Sequence, residues 1–183
     1  MEIRRATPED YEKIIALQLE NTADNLSEEE RLQGFIVSAM DTQKVAAINQ
    51  ALGILVAMDG ERLAGFLCMA PSDAPPPRHP VVDAMLQTFP EQQFGGKTLQ
   101  QQRVFVYGPV CVGKAWRGQG IAKKLFVAVK EFTRPSYEVG AAFVDDRNPH
   151  SLAVHVEGLK MTALTPFKHE QNRYQLVVFS TAG

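Results

Sequence analysis

The 183 residues predict an α/β (α+β) chain, and three observations carry that expectation. Two apolar runs, Ile54 to Met58 and Leu63 to Ala70, are separated by Asp59-Gly60-Glu61-Arg62, the chemistry of a tight hairpin. The stretch Tyr107 to Phe126 reads as an apolar strand, a short glycine-bearing loop and an amphipathic helix. Strand and helix signals follow one another in the order β-α-α-(α)-β-β-β-α-β-α-β-β, and a chain of this length suits one domain over residues 1–183.

Taken in order, Met1 to Ala6 predicts a short strand, and Thr7-Pro8-Glu9-Asp10 a helix start with Thr7 as cap, Pro8 in the first position and an acidic first turn. Tyr11, Ile14, Ile15 and Leu19 give this helix its expected buried stripe. Ser27-Glu28-Glu29-Glu30 forms a capping box ahead of Leu32, Phe35, Ile36 and Ala39, which predicts a second helix. Val45, Ile48 and Leu52 suggest one more short helix, stopped by Gly53. After the hairpin, residues 71–102 change character. Pro75-Pro76-Pro77 cannot sit inside a sheet, Val81 to Phe89 suits a short helix, and Gly95-Gly96 marks a flexible turn. A connection this long in a compact fold needs a reason, and a lid over a bound acceptor, a structural flap or a homodimer contact each supply one.

Arg103 to Val112 reads as the central strand, Gly120 to Thr133 as the helix beyond the loop and Glu138 to Val144 as a further strand. Asn148 to Leu159 predicts a helix, and Met161 to His169 with Tyr174 to Ser180 a closing hairpin.

Composition narrows the function. A net charge of -2 and the absence of a basic stripe argue against nucleic acid as the main partner. Cys68 and Cys111 lie in apolar runs, which favours buried thiols in a reducing compartment over a disulfide. Charges begin at Glu2 and no apolar stretch approaches the roughly 18 residues of a membrane span, so neither a signal peptide nor an anchor is expected and the cytoplasm is the default location. No metal is expected.

The loop at Arg117-Gly118-Gln119-Gly120-Ile121-Ala122 is where chemistry concentrates. Glycines one residue apart let backbone approach a ligand, the first turn of a helix leaves N-H groups without intrahelical acceptors, and the helix dipole adds positive potential. A phosphate or pyrophosphate is the natural occupant. A nucleoside-triphosphate loop is excluded, because Gln119-Gly120 stand where Lys-Ser/Thr must be. A dinucleotide fingerprint fits poorly, since Glu138 precedes its strand and Gly113 to Trp116 separate the first strand from the glycines.

The same residues match the pattern Gln/Arg-x-x-Gly-x-Gly/Ala, and the chain resembles the GNAT superfamily of N-acetyltransferases over essentially its whole length. The resemblance implies a mixed, mostly antiparallel central sheet flanked by helices, from which this chain departs by its long insertion between the third and fourth strands. It implies acetyl-CoA as cosubstrate. Backbone groups of Val110, Cys111 and Val112 would pair with the pantetheine amides, and Arg117, Gly118, Gln119, Gly120, Ile121, Ala122 and Lys123 would take the pyrophosphate. Asn148 to His155 corresponds to the family's Asn-x-x-Ala/Ser-x-x-x-Tyr segment, with Asn148 near the pantetheine and His155 where Tyr is usual. In the family that Tyr protonates the departing thiolate, and an imidazole N-H can do the same. The competing reading is a core histidine bonded to a carbonyl.

The reaction the resemblance implies is direct attack of a primary amine, of a small molecule or a peptide, on the thioester carbonyl. It wants a general base. Val104 to Val112 contain no carboxylate, so a base on this strand could be only Tyr107, through a water. Otherwise Glu20, Asp24, Glu28 to Glu30, Asp73, His79 and Asp83 stand as candidates. Two other functions fit the same residues: a non-catalytic module that binds or senses acyl-CoA, and an O-acyltransferase.

Overall fold

The computed structural model describes residues 1–21, 40–74 and 78–182. In chain order its elements begin with strand β1 (Glu2–Arg5), a 3-10 turn (Pro8–Asp10), helix α1 (Tyr11–Glu20) and helix α2 (Thr42–Ala51). Strands β2 (Gly53–Asp59) and β3 (Arg62–Pro71), the short helix α3 (Pro80–Leu86) and two small strands, β4 (Gln93–Phe94) and β5 (Lys97–Thr98), come next. Then follow strand β6 (Val104–Val112), helix α4 (Ile121–Thr133), strand β7 (Val139–Asp145) and helix α5 (Pro149–Ala153), which a π turn (Val154–Gly158) continues. Strands β8 (Thr162–His169) and β9 (Asn172–Ser180) close the chain. The predicted second helix and its capping box at Ser27 to Glu30, the candidate base Asp24 and the Pro75-Pro76-Pro77 run lie outside the described residues.

Two compact units result, Met1–Ala70 with Tyr107–Val129, and Pro71–Val106 with Lys130–Gly183. In the first, β1 runs antiparallel to β2 from Glu2↔Met58 to Arg5↔Leu55, β2 runs antiparallel to β3, and β3 borders β6. Strand β2 is buried from Gly53 to Met58 with no in-out alternation, as a strand covered on both faces must be. Ile14, Val45, Ile54, Val56 and Phe66 form the centre of this core. Gly60, at φ +63°, makes the tight turn that Asp59-Gly60 predicts.

Three polar side chains fasten the first unit's helices. Asn49 donates to the Ala6 carbonyl (2.9 Å) and to the Tyr11 hydroxyl (3.0 Å), and accepts from the Ile54 N-H (3.0 Å). Gln18 accepts the Met40 N-H at 2.8 Å and donates to the Met40 carbonyl. Asp10 receives Arg4 on both oxygens (2.7 and 3.0 Å) and the Thr7 N-H (2.8 Å). Leu19, predicted in the buried stripe, is 47 % exposed. Gln18, two full turns from Tyr11, holds the in-line position instead, its polarity satisfied by the Met40 backbone. Helix α2 ends at Ala51 with Leu52 as its cap, Gly53 at φ +141° follows at once and opens β2, and Asp41 caps the helix start by accepting the Lys44 N-H at 2.8 Å.

The second unit orders its strands β6-β7-β9-β8. Parallel pairing of β6 with β7 runs over Val104↔Val139 to Val106↔Ala141, and β7 on β9 and β8 on β9 are antiparallel. Both units therefore bear out the mixed, mostly antiparallel sheet with flanking helices. Gly140 is obligatory in β7: a Cβ there would stand 2.2 Å from Phe179 Cζ.

The described residues of the 71–102 segment belong to this second unit and carry structure of their own. Helix α3 packs on β7 and β8 with Val81 and Met85 buried, and Phe89 and Leu99 are buried further along. Gly95 and Gly96, expected as a flexible turn, have φ +67° and +87° and form the tip of the β4–β5 hairpin, whose ends Gln102 ties by donating to the Phe94 (2.7 Å) and Lys97 (3.2 Å) carbonyls. No helix among the described residues is long and apolar enough to cross a membrane.

Candidate functional site

Strand β6 leads into the site through Gly108 at φ +109°, a conformation that favours glycine. Beyond it Val110 and Val112 are half-buried, while Cys111 turns inward with its thiol 3.9 Å from the Leu17 carbonyl. A Cβ on Gly65 would lie 2.9 Å from the Cys111 carbonyl oxygen, so β3 and β6 approach this closely only because residue 65 is glycine. Cys68 and Cys111 are buried and unbridged, as expected. Burial pushes the Cys111 thiol up to about 12, which Arg117 moderates and Glu20 reinforces; neither thiol is a nucleophile at neutral pH.

The loop from Gly113 to Gly120 is fastened before its glycines. Trp116 donates from Nε1 to Asp59 (3.2 Å), and the Arg62 guanidinium lies 4.6 Å from the centre of its ring. Arg117 donates to Asn21 Oδ1, and Asn21 in turn donates to the Leu17 carbonyl at the end of α1. Gly118 and Gly120 then take φ +79° and +77°, on either side of Gln119, and a Cβ on either would meet nothing within 4 Å. This alternation turns successive N-H groups toward one side, the arrangement that makes an anion-binding concavity. It opens directly onto Ile121, Ala122 and Lys123 in the first turn of α4, whose N-H groups have no intrahelical acceptors. Gly118, Gln119, Gly120 and Lys123 are exposed, and Lys114, Arg117, Lys123 and Lys124 bring positive charge to this part of the sequence.

Tyr107 is buried, with its ring edge-on to Phe126 at 6.4 Å. Burial raises its phenol well above the ordinary value, so at neutral pH it keeps its proton.

The second predicted segment lies in the other unit. Asn148 is buried and caps α5, its Oδ1 accepting the Ser151 N-H at 3.3 Å, and Pro149 occupies the first helical position. Before it, buried Asp145 accepts the Asn148-side turn's Arg147, through the N-H at 2.9 Å and the guanidinium at 2.6 Å. The helix widens into a π turn at Val154–Gly158, with Met161 N-H returning to the His155 carbonyl at 3.0 Å. His155 is 5 % exposed, and its Nδ1 stands 2.7 Å from the Ser151 carbonyl oxygen and 3.4 Å from the Ser151 hydroxyl. Burial lowers the ring's pKa below 6.5, opposed by the Ser151 hydrogen bond. Asn148, Ser151 and His155 thus form one small network.

Sequence reasoning missed the partners of the loop. Asp59, Arg62 and Asn21 are far from it in sequence, and a lone Trp before Arg-Gly-x-Gly is the one local sign that something grips it. Among the described residues no three His, Cys, Asp or Glu side chains are grouped as metal ligands.

Comparison with solved structures finds this fold repeatedly. An N-acetyltransferase from Staphylococcus aureus is 15 % identical, covers 98 % of each chain and superposes with a TM-score of 0.62. A ribosomal-protein-alanine N-acetyltransferase from Brucella melitensis is 17 % identical over 98 % of this chain and 99 % of its own, with a TM-score of 0.64. The protein yncA from Salmonella typhimurium, solved with its cofactor acetyl-CoA, is 14 % identical over 98 % of this chain and 93 % of its own, at a TM-score of 0.62. At these identities the likeness is one of fold. No curated protein matches the chain. The family model described as Acetyltransferase (GNAT) family matches residues 20–159, a span that holds the glycine loop, α4 and the Asn148 to His155 segment. This chain belongs to the GNAT acetyltransferase family.

Proposed function

We propose that the protein transfers an acetyl group from acetyl-CoA to a primary amine of a small molecule or a peptide. The observation that carries the reading is the pair of left-handed glycines, Gly118 and Gly120, at the head of a 13-residue helix. Arg117 to Lys123 receive the pyrophosphate through backbone N-H groups and helix polarity. The backbone of Val110, Cys111 and Val112 pairs with the pantetheine amides, and Asn148 serves the cofactor as well. Family membership and the N-acetyltransferases among the structural neighbours support an amine acceptor.

In the reaction the amine nitrogen attacks the thioester carbonyl, a C-N bond forms, the C-S bond breaks and one proton passes from the amine to the CoA thiolate. His155 carries that proton. Its neutral ring takes it at Nε2 and, once charged, gives it to the sulfur. Tyr107 stands aside from this transfer. Residues 71–102 contribute to the acceptor side as a fixed surface, because Val81 and Met85 are already buried against their own unit.

The test is release of free CoA thiol from acetyl-CoA in the presence of small primary amines and of peptides with a free N-terminal alanine, with the product bond identified by mass spectrometry. Thiol release matched by amide formation is expected. Binding of acetyl-CoA without release under any amine would mark a sensing module, and an ester product an O-acyltransferase.

A further inference from the structure

We propose that Trp116 is a positioning residue for the cofactor loop, held by Arg62 and Asp59 of the β2–β3 hairpin, and that this grip sets affinity for acetyl-CoA without touching the reacting atoms. The inference rests on the reading that residues 117–123 take the pyrophosphate.

Gly118 and Gly120 are exposed and nothing packs where their side chains would be, so the two residues that shape the anion site bring no side chain to hold them there, and the Lys124 N-H on the Gly120 carbonyl at 3.0 Å ties Gly120 only from the helix side. Glycine also loses more conformational freedom on ordering than any other residue. Much of their geometry must therefore come from their neighbours, and Trp116, two residues before Gly118, is equipped to supply it. Its indole N-H is fixed by Asp59, its face by the Arg62 guanidinium, and its edge by Gly113, where an added Cβ would stand 2.9 Å from ring carbon Cε3. The backbone repeats the restraint, with the Trp116 N-H on the Gly113 carbonyl at 2.9 Å. Arg117 follows at once and is tied to a different element, Asn21 at the end of α1. A loop gripped at two consecutive residues reaches its glycines with its direction already set, and a ligand that binds it orders little.

The grip is separable from the core. Asp59 and Arg62 are exposed, whereas Ile54, Val56 and Phe66, which hold the hairpin in the unit, are buried. Asp59→Leu and Arg62→Ala should leave folding intact and loosen the loop.

Trp116 is the chain's single tryptophan, so its fluorescence reports on the loop alone. In the full-length protein, acetyl-CoA should shift Trp116 emission saturably. Asp59→Leu and Arg62→Ala should each raise the acetyl-CoA KM by about tenfold while kcat stays within about twofold and the melting temperature is unchanged. Asp59→Asn keeps an acceptor oxygen for the indole N-H and should restore the KM. An unchanged KM in a folded Asp59→Leu, Arg62→Ala double variant overturns the proposal, as does an Asp59→Asn protein as impaired as Asp59→Leu. If wild-type protein binds no acetyl-CoA, the assignment of the loop falls first and this inference with it; binding with indifferent variants sinks the inference alone.

Discussion

His155 Nδ1 lies 2.7 Å from the carbonyl oxygen of Ser151. A carbonyl only accepts, so Nδ1 carries the hydrogen and Nε2 the lone pair. With burial lowering the ring's pKa from 6.5, the imidazole is neutral at neutral pH and must take a proton before it can give one. If His155 has the proposed role, its departure from a family tyrosine, which starts protonated, changes the order of events and not only the donor.

Turnover should consequently fall on the acid side, with an apparent pKa below 6.5 that belongs to His155. His155→Phe should remove this limb and lower kcat by about 100-fold with little change in acetyl-CoA affinity. A pH profile of kcat/KM for both proteins decides it. Full turnover in His155→Phe, or a loss of melting temperature alone, would make His155 a core residue and nothing more.

At the loop, charge and backbone conformation can be separated. Gly118→Asn and Gly118→Asp both tolerate φ +79° better than other residues, but only the second opposes a pyrophosphate. Gly118→Asp should bind acetyl-CoA about tenfold more weakly than Gly118→Asn, measured by titration calorimetry. Equal affinities would remove the anion from this site.

Met85 offers a measure of how far the segment 71–102 is part of the fold. Its side chain is fully buried beneath α3, so Met85→Ala should cost about 2–4 kcal/mol in denaturant unfolding. A much smaller loss would show a segment that lifts away from its unit, which is how a lid behaves.

The Arg4–Asp10 pair carries an acid signature. Arg4, by its hydrogen bonds, holds the Asp10 carboxylate below its ordinary value of 3.8, with burial opposing and Thr7 assisting. The sign follows: this stabilisation is present above pH 3.8 and is lost as pH falls through the lower folded value. Asp10→Asn should cost about 2 kcal/mol at neutral pH, and the difference from wild type should shrink toward strongly acid pH in chemical denaturation. A difference that holds constant with pH would assign the cost to the cap geometry.

What the sequence discloses is what is encoded locally. Asp59-Gly60 and the Gly118, Gly120 pair name their own backbone conformations, and the structure finds them where glycine chemistry puts them. Gly95-Gly96 carries an equally local message, two residues between the paired Phe94 and Lys97, and the structure makes them a hairpin tip. Periodicity marks Leu19 but overlooks Gln18, because a polar residue enters a core only when something distant satisfies it, here the backbone of Met40. The same distance hides Asp59, Arg62 and Asn21 from any reading of the glycine loop at Gly118 and Gly120. Asn148 to Leu159 predicts one even helix, while the structure widens at Val154–Gly158, where the Leu159 N-H closes on the Val154 carbonyl five residues back at 2.9 Å.

The Gln18 contact to Met40 also bears on how such a chain can change over generations. One partner is an amide side chain inside α1, and the other is main chain, which any amino acid at position 40 supplies, proline excepted. The fastening therefore constrains residue 18 to an amide side chain of the right reach, while the side chain at position 40 answers only to the core it packs into.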